Sequence, residues 1–264
     1  MRFAIISDIH ANWEALTAVL EEIDNAKVDQ TICLGDLVGY YANPNECLQI
    51  IRERNITCIA GNHDRAAAGL TEPTWFWPAA KEAIYWTRKH LTEDNRKFLE
   101  QLPITRCVQN RFRVVHASLS PEPNEDTYVS SMEVLRDCFE KLKELSPPVN
   151  ICFFGHTHHG VAYESKAGVI SVLKEAKLRL CQDALYMINP GSVGQPRDHD
   201  PRAAFLIFDA DDQIVEFHRV LYDESSCRRK AAAEGLLCET SLFSRCQKGL
   251  EVCKNVLTGR RGKR

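Results

Sequence analysis

The segment Phe3-Ala4-Ile5-Ile6-Ser7-Asp8 is a short apolar run that ends abruptly in polar residues. Four consecutive apolar residues followed by polar ones predict a short buried strand. Apolar residues then recur at helical spacing from Trp13 to Ile23, directly after Asn12, a residue type that commonly caps the start of a helix. The opening of the chain therefore predicts a strand followed by a helix.

The following segment continues this pattern. Apolar runs predict strands over 30–34 and 57–60, with a helix over 44–54 between them. Strands that alternate with helices indicate an α/β fold with a parallel sheet. Because sites in open α/β sheets form at the carboxyl ends of strands, we expect a site where these three strands end.

The rest of the chain divides into a mixed part and a strand-rich part. Helices are predicted over 75–102 and 132–145, and strands over 104–108, 112–116 and 149–154. Short strands follow over 161–164, 169–173, 186–189, 203–208 and 214–220, then a helix pair over 223–256 and a basic tail over 259–264. The late strands predict a second sheet that faces the first. Since there is no internal repeat or low-complexity linker, we expect a single domain over 1–264.

Composition excludes several classes of protein. The 264 residues are 44% hydrophobic and 26% charged, as in an ordinary soluble protein, and the net charge of -3 argues against a dedicated nucleic-acid binder. No apolar run reaches the about 18 residues of a membrane span, and the first apolar stretch is too short for a signal peptide. The 11 cysteines contain no Cys-x-x-Cys pair, which favours free thiols in a reducing compartment. We therefore expect a cytoplasmic protein.

Several strand ends carry side chains that can bind metal ions. In chain order these are Asp8 with His10, Asp36, Asn62 with His63, His116, and His156 with His158. Oxygen and imidazole nitrogen suit Mn, Fe, Zn or Co, and the absence of thiolates disfavours a soft-metal site. Because alternate residues of a strand share a face, we expect Asp8 and His10 to reach one ion from an extended chain, and likewise His156 and His158.

The number of these ligands predicts two ions. Asp8, His10 and His158 would bind the first, Asn62, His116 and His156 the second, and Asp36 would bridge them. Two cations about 3.5–4 Å apart stabilise the attacking and leaving oxygens of a phosphoryl displacement and lower the pKa of a bridging water towards about 7. His63 would donate a proton to the leaving oxygen, oriented by Asp64, with a purely structural role for His63 as the alternative.

These motifs resemble those of the calcineurin-like metallophosphoesterase superfamily. The matching segments, in order, are Ser7-Asp8-Ile9-His10, Gly35-Asp36, Gly61-Asn62-His63-Asp64, His116 and Gly155-His156-Thr157-His158, so the resemblance covers residues 7–158. It implies a four-layer α/β/β/α sandwich with two facing mixed sheets. It also implies a dinuclear centre, usually Mn or Fe with Zn, Ni or Co as further options, the ligand set given above, and His63 as the proton donor.

The compact size and the segment over 189–197 resemble the small bacterial and archaeal phosphodiesterase branch, which includes enzymes that act on model diesters and on diadenosine tetraphosphate. One departure is Ala117 after His116, where the superfamily usually has glycine. The resemblance implies hydrolysis of phosphodiester or nucleotide phosphoanhydride bonds by a hydroxide that bridges two ions. Some members of this branch have cysteine in place of the motif histidine and favour diesters. Because this chain has His63 at that position, monoesters with poor leaving groups are also candidate substrates.

Alternatives remain open at the level of residues and of function. Arg65 and Arg197 are candidate phosphate contacts or surface ion pairs, and Asn12 is a candidate substrate contact or a helix cap. A serine/threonine protein phosphatase is the second candidate function, ranked lower because no long insertion is present. A scaffold without activity is the third, disfavoured by the complete ligand set. We expect a small phosphorylated substrate and allow a homodimer through the C-terminal helices.

Overall fold

The computed structural model describes residues 1–120 and 126–236. The strands are β1 (Arg2–Ile6), β2 (Gln30–Cys33), β3 (Thr57–Cys58), β4 (Thr105–Val108), β5 (Phe112–Val115), β6 (Ile151–Phe153), β7 (Gly160–Lys166), β8 (Val169–Leu173), β9 (Lys177–Arg179), β10 (Leu185–Pro190), β11 (Ala203–Asp209) and β12 (Ile214–Val220). The helices are α1 (Trp13–Ala26), α2 (Pro44–Glu53), α3 (Asn62–Ala68), α4 (Pro78–His90), α5 (Glu93–Glu100), α6 (Met132–Glu144) and α7 (Glu224–Ala233).

The described strands form two six-stranded sheets. The first has the order β3-β2-β1-β11-β12-β9, and the second has the order β4-β5-β6-β10-β7-β8. Strands β1, β2 and β3 are parallel, whereas β11 pairs with β1 in the antiparallel sense, so the first sheet is mixed. The second is mixed as well, with β5 parallel to β6 and β7 antiparallel to β10. The predicted α/β class with two facing mixed sheets is confirmed.

The division of the chain between the sheets differs from the prediction. The strands after residue 160 do not form a second sheet of their own, because β9, β11 and β12 extend the first sheet. The second sheet instead takes β4, β5 and β6 from the middle of the chain. The physical reason is the edge of β1, whose backbone N–H and C=O groups need a partner on the side away from β2. Strand β11 satisfies them, with Phe3 opposite Phe208.

The core explains why β1 is apolar on both faces. Phe3 and Ile5 point towards the second sheet, whereas Ala4 and Ile6 pack under the helices. Between the sheets, the rings of Phe3 and Phe112 meet edge to face with centroids 5.1 Å apart, and those of Phe153 and Phe208 lie 5.5 Å apart. A strand that is covered on both faces reads as a continuous hydrophobic run rather than an alternating one.

Helices cover the outer faces of both sheets. Helix α1 buries Leu16, Val19 and Ile23 against the first sheet, and α6 buries Leu135 and Phe139 against the second. These layers complete the predicted α/β/β/α sandwich. None of the described helices combines the length and hydropathy that crossing a bilayer requires.

Several predicted boundaries need correction. The helix predicted over 75–102 is two helices, because the Thr92 side chain accepts the N–H of Asn95 and begins α5. The segment after Gly61, for which no element was predicted, is helix α3. Strand β9 was not predicted. Helix α7 ends at Ala233, and the remainder of the helix pair predicted over 223–256, together with the tail over 259–264, lies outside the described residues.

Candidate metal centre

The seven side chains predicted as metal ligands converge at one end of the two sheets. They follow the carboxyl ends of β1, β2 and β3 in the first sheet and of β5 and β6 in the second. All are buried; the most exposed of them, Asn62, has 8% of its surface accessible. The seven side chains therefore lie together where the strands end.

The backbone that carries these residues is not extended. Five of them have a left-handed conformation, namely Asp8 (φ 54°), His10 (φ 52°), Asp36 (φ 54°), His156 (φ 64°) and His158 (φ 59°). The prediction that alternate residues of a strand present these pairs is wrong, since β1 ends at Ile6 and β6 at Phe153. Such conformations cost about 1–2 kcal/mol per residue and cluster at functional sites.

Hydrogen bonds between neighbouring loops hold the left-handed backbone after β1. The N–H of Asp8 donates to the carbonyl of Gly35 at 3.0 Å, and the N–H of His10 donates to the carbonyl of Asp36 at 2.9 Å. The loop after β1, which carries Asp8 and His10, is thereby hydrogen-bonded to the loop after β2, which carries Asp36.

The first cluster comprises Asp8, His10, Asp36 and His158, whose ligand atoms all lie within 4.8 Å of one another. The Nε2 atoms of His10 and His158 are only 3.1 Å apart. Their Nδ1 atoms face the carbonyl oxygens of Val38 at 3.2 Å and Gln195 at 2.6 Å. A carbonyl only accepts, so each Nδ1 carries a proton and each neutral ring turns its Nε2 lone pair towards the other ring.

Two facing lone pairs repel unless a cation lies between them. Burial lowers the pKa of His10 well below its usual value, and it lowers the pKa of His158 as well. Protonation of these rings is therefore disfavoured. A metal ion bound by both rings and by the adjacent carboxylates would remove the repulsion, so the donor set and its orientation fit a metal.

The second cluster comprises Asp36, His116 and His156. The Nδ1 of His116 faces the carbonyl oxygen of Leu34 at 2.8 Å, and its Nε2 lies 3.1 Å from Asn62 Oδ1 and 3.2 Å from His156 Nδ1. The other ring nitrogen of His156 is buried without a hydrogen-bond partner in the described structure. Burial lowers the pKa of His116, but Asp36 and Asp8 outweigh this and raise the pKa to about 10. The cluster thus attracts positive charge.

Asp36 belongs to both clusters. Its Oδ2 lies 3.6 Å from His10 Nε2 and 3.3 Å from His116 Nε2, while its Oδ1 accepts the backbone N–H of His63 at 2.9 Å. Burial opposes ionisation, but the neighbouring histidines hold the pKa of Asp36 well below its usual range. One oxygen of this carboxylate is thus fixed by the backbone, and the other faces both groups of imidazoles.

His63 lies beside the clusters in an aromatic sandwich. Its ring centroid is 4.9 Å from that of Tyr40 and 4.8 Å from that of Phe76, and its edge contacts His10. A side chain on Gly39 would lie 2.4 Å from the Nδ1 of His63, so only glycine leaves room for the ring there. Burial lowers the pKa of His63 to about 4, against the opposing charge of Asp36. The imidazole is therefore neutral at pH 7.

Asp64 contacts backbone rather than the imidazole of His63. Its Oδ1 accepts the N–H groups of Leu37 at 2.8 Å and Val38 at 3.2 Å, and its Oδ2 accepts the N–H of Gly61 at 2.9 Å. Because both oxygens are engaged in this way, the prediction that Asp64 orients His63 through a direct contact needs correction. Asp64 instead joins the loop after β2 to the start of α3, the helix on which His63 lies.

The candidate substrate contacts fall in three different settings. Asn12 is fully buried. Its Oδ1 accepts the N–H of Ala15 at 3.1 Å, and its Nδ2 donates to the carbonyl oxygen of Gly194 at 2.8 Å. Asn12 is therefore the helix cap, and the predicted substrate contact is wrong. Arg65 forms an ion pair with Asp126. Arg197 lies near the clusters and donates to Gln195 Oε1 at 2.9 Å; burial is the main cause that lowers the pKa values of His63 and His158, and the charge of Arg197 adds to it.

The sequence did not reveal two aromatic residues at this site. The ring of Tyr128 lies 3.9 Å from that of His156, and Phe76 covers one face of His63. Each lies in a loop with no motif around it. An aromatic residue in a loop carries no periodic signal, and the neighbouring Trp75 and Trp77 do not single out Phe76, so only the tertiary structure could place these rings.

Comparison with known proteins agrees with this geometry. The model of the calcineurin-like phosphoesterase superfamily domain matches residues 1–213. An uncharacterized protein of Methanocaldococcus jannaschii is 38% identical over 222 residues, which are 83% of this chain and 87% of that protein. The crystal structure of a metallophosphoesterase from Sphaerobacter thermophilus has a TM-score of 0.75 at 35% identity, covering 94% of this chain and 99% of that one.

The fold extends to more distant proteins. The crystal structure of a hypothetical protein from Pyrococcus horikoshii has a TM-score of 0.71 over 99% of both chains, and at 19% identity it shows the fold alone. The family model covers the strands and loops that carry the two clusters. The chain belongs to the calcineurin-like phosphoesterase superfamily.

Proposed function

We propose that the chain is a hydrolase that cleaves phosphodiester or phosphoanhydride bonds in small phosphorylated molecules. It would use two divalent cations, with Mn and Fe as the preferred metals. The observation that carries this proposal is the position of Asp36. Its Oδ2 lies within 3.6 Å of His10 Nε2 in one cluster and within 3.3 Å of His116 Nε2 in the other. A carboxylate that faces two sets of imidazoles is what a dinuclear centre requires.

The proposed ligands divide between the two ions as their contacts suggest. Asp8, His10 and His158 would hold the first ion, Asn62, His116 and His156 the second, and Asp36 both. When bound, two such ions supply positive charge for the phosphoryl oxygens and lower the pKa of a water that they share.

The surrounding residues would bind the substrate and transfer the proton. Arg197 carries a guanidinium group at the rim, where it can donate two parallel hydrogen bonds to phosphoryl oxygens. His63 would give a proton to the leaving oxygen, because a bound anion favours the imidazolium form and raises the pKa of His63 from its low value. The rings of Tyr40 and Phe76 pack against this imidazole and help to keep water away from it.

A metal analysis combined with a substrate screen tests the proposal. With Mn in excess, we expect the protein to hydrolyse bis-p-nitrophenyl phosphate, and we expect Asp36→Asn to lower the rate by more than about 100-fold, at least the loss typical of a disturbed metal site. Asp94→Asn, an exposed acid in the first turn of α5, is the matched control.

The same screen separates the competing functions. Dinucleoside polyphosphates, diesters, monoesters and phosphopeptides are compared side by side. A clear preference for phosphopeptides would favour a protein phosphatase. Full activity of the Asp36 variant would overturn the proposal, and a protein that binds no metal at neutral pH and hydrolyses none of these substrates would favour a scaffold.

A further inference from the structure

A cavity of about 260 Å³ lies next to the second cluster and is lined by residues of α3, β5 and the adjoining loops. Its wall includes His116, so one side chain borders both the cavity and the metal-binding cluster. The other lining residues that matter here are Arg65 from α3, Arg113 from β5 and Asp126. These three residues belong to neither of the two clusters.

The alternation of β5 places Arg113 in this cavity. Phe112 and Val114 pack between the two sheets, and Val115 packs on the opposite face among the residues that contact α6. Because successive residues of a strand point to opposite faces, Arg113 shares the outer face with Val115. The strand ends at Val115 and His116 follows it directly, so Arg113 and His116 are three positions apart in the chain.

The charges in this cavity are unevenly compensated. Asp126 forms an ion pair with Arg65, whose side chain is only 11% exposed. Arg113 is half-buried, its Nε is buried without a hydrogen-bond partner, and it forms no ion pair with any acid in the described ranges 1–120 and 126–236. A buried N–H of a guanidinium without an acceptor is unfavourable. Its planar fork of N–H groups matches a phosphate group in geometry and charge.

We propose that this cavity is an anion subsite that takes the second, non-reacting phosphate of the substrate, with Arg113 as its principal donor. This inference rests on the proposed function and narrows the substrate class to molecules with two linked phosphates. The volume supports a phosphate group rather than a whole nucleotide, because sites for drug-sized ligands span about 300–1,000 Å³. The rest of such a substrate would lie outside the cavity.

Binding of pyrophosphate to the full-length, metal-free protein tests the subsite without relying on activity. After dialysis against chelator and then buffer, and after circular dichroism has shown that each protein is folded, calorimetry measures the affinity. We expect Arg113→Gln to weaken binding by about tenfold or more, the loss typical of a charge-assisted hydrogen bond, and Arg113→Lys to weaken it less. Arg106→Gln, an exposed arginine on the neighbouring strand β4, is the matched control.

Kinetics with Mn then test whether the subsite serves the substrate. We expect Arg113→Gln to raise KM for a dinucleoside polyphosphate by about tenfold and to leave KM for bis-p-nitrophenyl phosphate, which has a single phosphate, unchanged. Equal effects on both substrates, or pyrophosphate binding that does not depend on Arg113, would overturn the inference.

The failure of the subsite and the failure of the proposed function have different signatures. If pyrophosphate binding depends on Arg113 but none of the phosphate esters or anhydrides is hydrolysed, the proposed function fails while the anion site stands. If the diester is hydrolysed and Arg113→Gln changes neither binding nor KM, the function stands and the subsite fails. If binding depends on Arg113 but KM for the dinucleoside polyphosphate does not change, the site takes free phosphate rather than a substrate group, which contradicts the inference.

Discussion

At the scale of single residues, His63 shows how surroundings decide a role. Its imidazole is enclosed by Tyr40 and Phe76, contacts His10 at its edge and has an Nδ1 without a hydrogen-bond partner in the described structure. A side chain that served only to support the loops would be expected to use both ring nitrogens. Because Nδ1 lies buried against Gly39, any proton exchanged with a bound anion would pass through Nε2, and the low pKa of His63 suits a group that gains a proton only when an anion is bound.

We predict that His63→Gln impairs hydrolysis according to the leaving group. For an alkyl diester, whose alkoxide needs a proton, kcat should fall by about 10²–10⁴-fold; for bis-p-nitrophenyl phosphate, whose leaving group needs none, the loss should be smaller. Metal content, measured by mass spectrometry, should not change. His90→Gln, at the exposed end of α4, is the control. Equal losses for both substrates would indicate a structural role for His63.

At the scale of elements, the loops after β2 and β3 cross too closely for side chains. Gly35 has φ +95°, and a Cβ at this position would lie 2.4 Å from the backbone nitrogen of Gly61. A Cβ on Gly61 would lie 2.1 Å from Asp36 Oδ1. Glycine at both positions therefore lets the Asp36 carboxylate pack against the backbone, and the two loops are in direct contact.

We predict that Gly35→Ala lowers the free energy of unfolding by about 2–5 kcal/mol, the sum of left-handed strain and overpacking. The matched control is Gly168→Ala in the β7–β8 turn, where φ is +80° but no atom lies within 4 Å of the added Cβ. That variant should lose only the strain, about 1–2 kcal/mol. Urea denaturation measures both, and equal losses would show that crowding at Gly35 is relieved by movement of the loops.

At the scale of the whole molecule, the clusters join the two sheets. Asp8, Asp36 and Asn62 follow strands of the first sheet, whereas His116 and His156 follow strands of the second. Ions bound by both groups would cross-link the sheets at this end of the strands. Without such ions, the buried carboxylates and facing imidazole nitrogens would oppose the close approach of the sheets at this end.

We therefore predict that metal stabilises the fold. Mn at about 100 times its dissociation constant should add about 2.7 kcal/mol to the free energy of unfolding, and the melting temperature should rise with Mn concentration. Asp36→Asn should abolish most of this rise, whereas Asp94→Asn should keep it. A melting temperature that is the same with chelator and with Mn would contradict the prediction.

Much of the fold could be predicted because its signals are local. The uninterrupted apolar run of β1 and the helical spacing of α1 each follow from burial within a few residues. The start of α5 was missed because its cap at Thr92 lies inside an otherwise continuous helical pattern. The membership of β11 in the first sheet was missed because pairing between distant strands leaves no periodic mark in the sequence.

The identity of the side chains at the strand ends, and with it the chemistry open to the site, can be taken from the motifs alone, because the motifs specify carboxylate, amide and imidazole groups. The way in which these groups meet depends on the folded chain. The left-handed backbone at Asp8 and Asp36 and the anchoring of Asp64 to backbone N–H groups depend on contacts between loops from different strands. So does the setting of Arg113. These contacts join residues far apart in the chain, so their geometry exists only once the two sheets have packed.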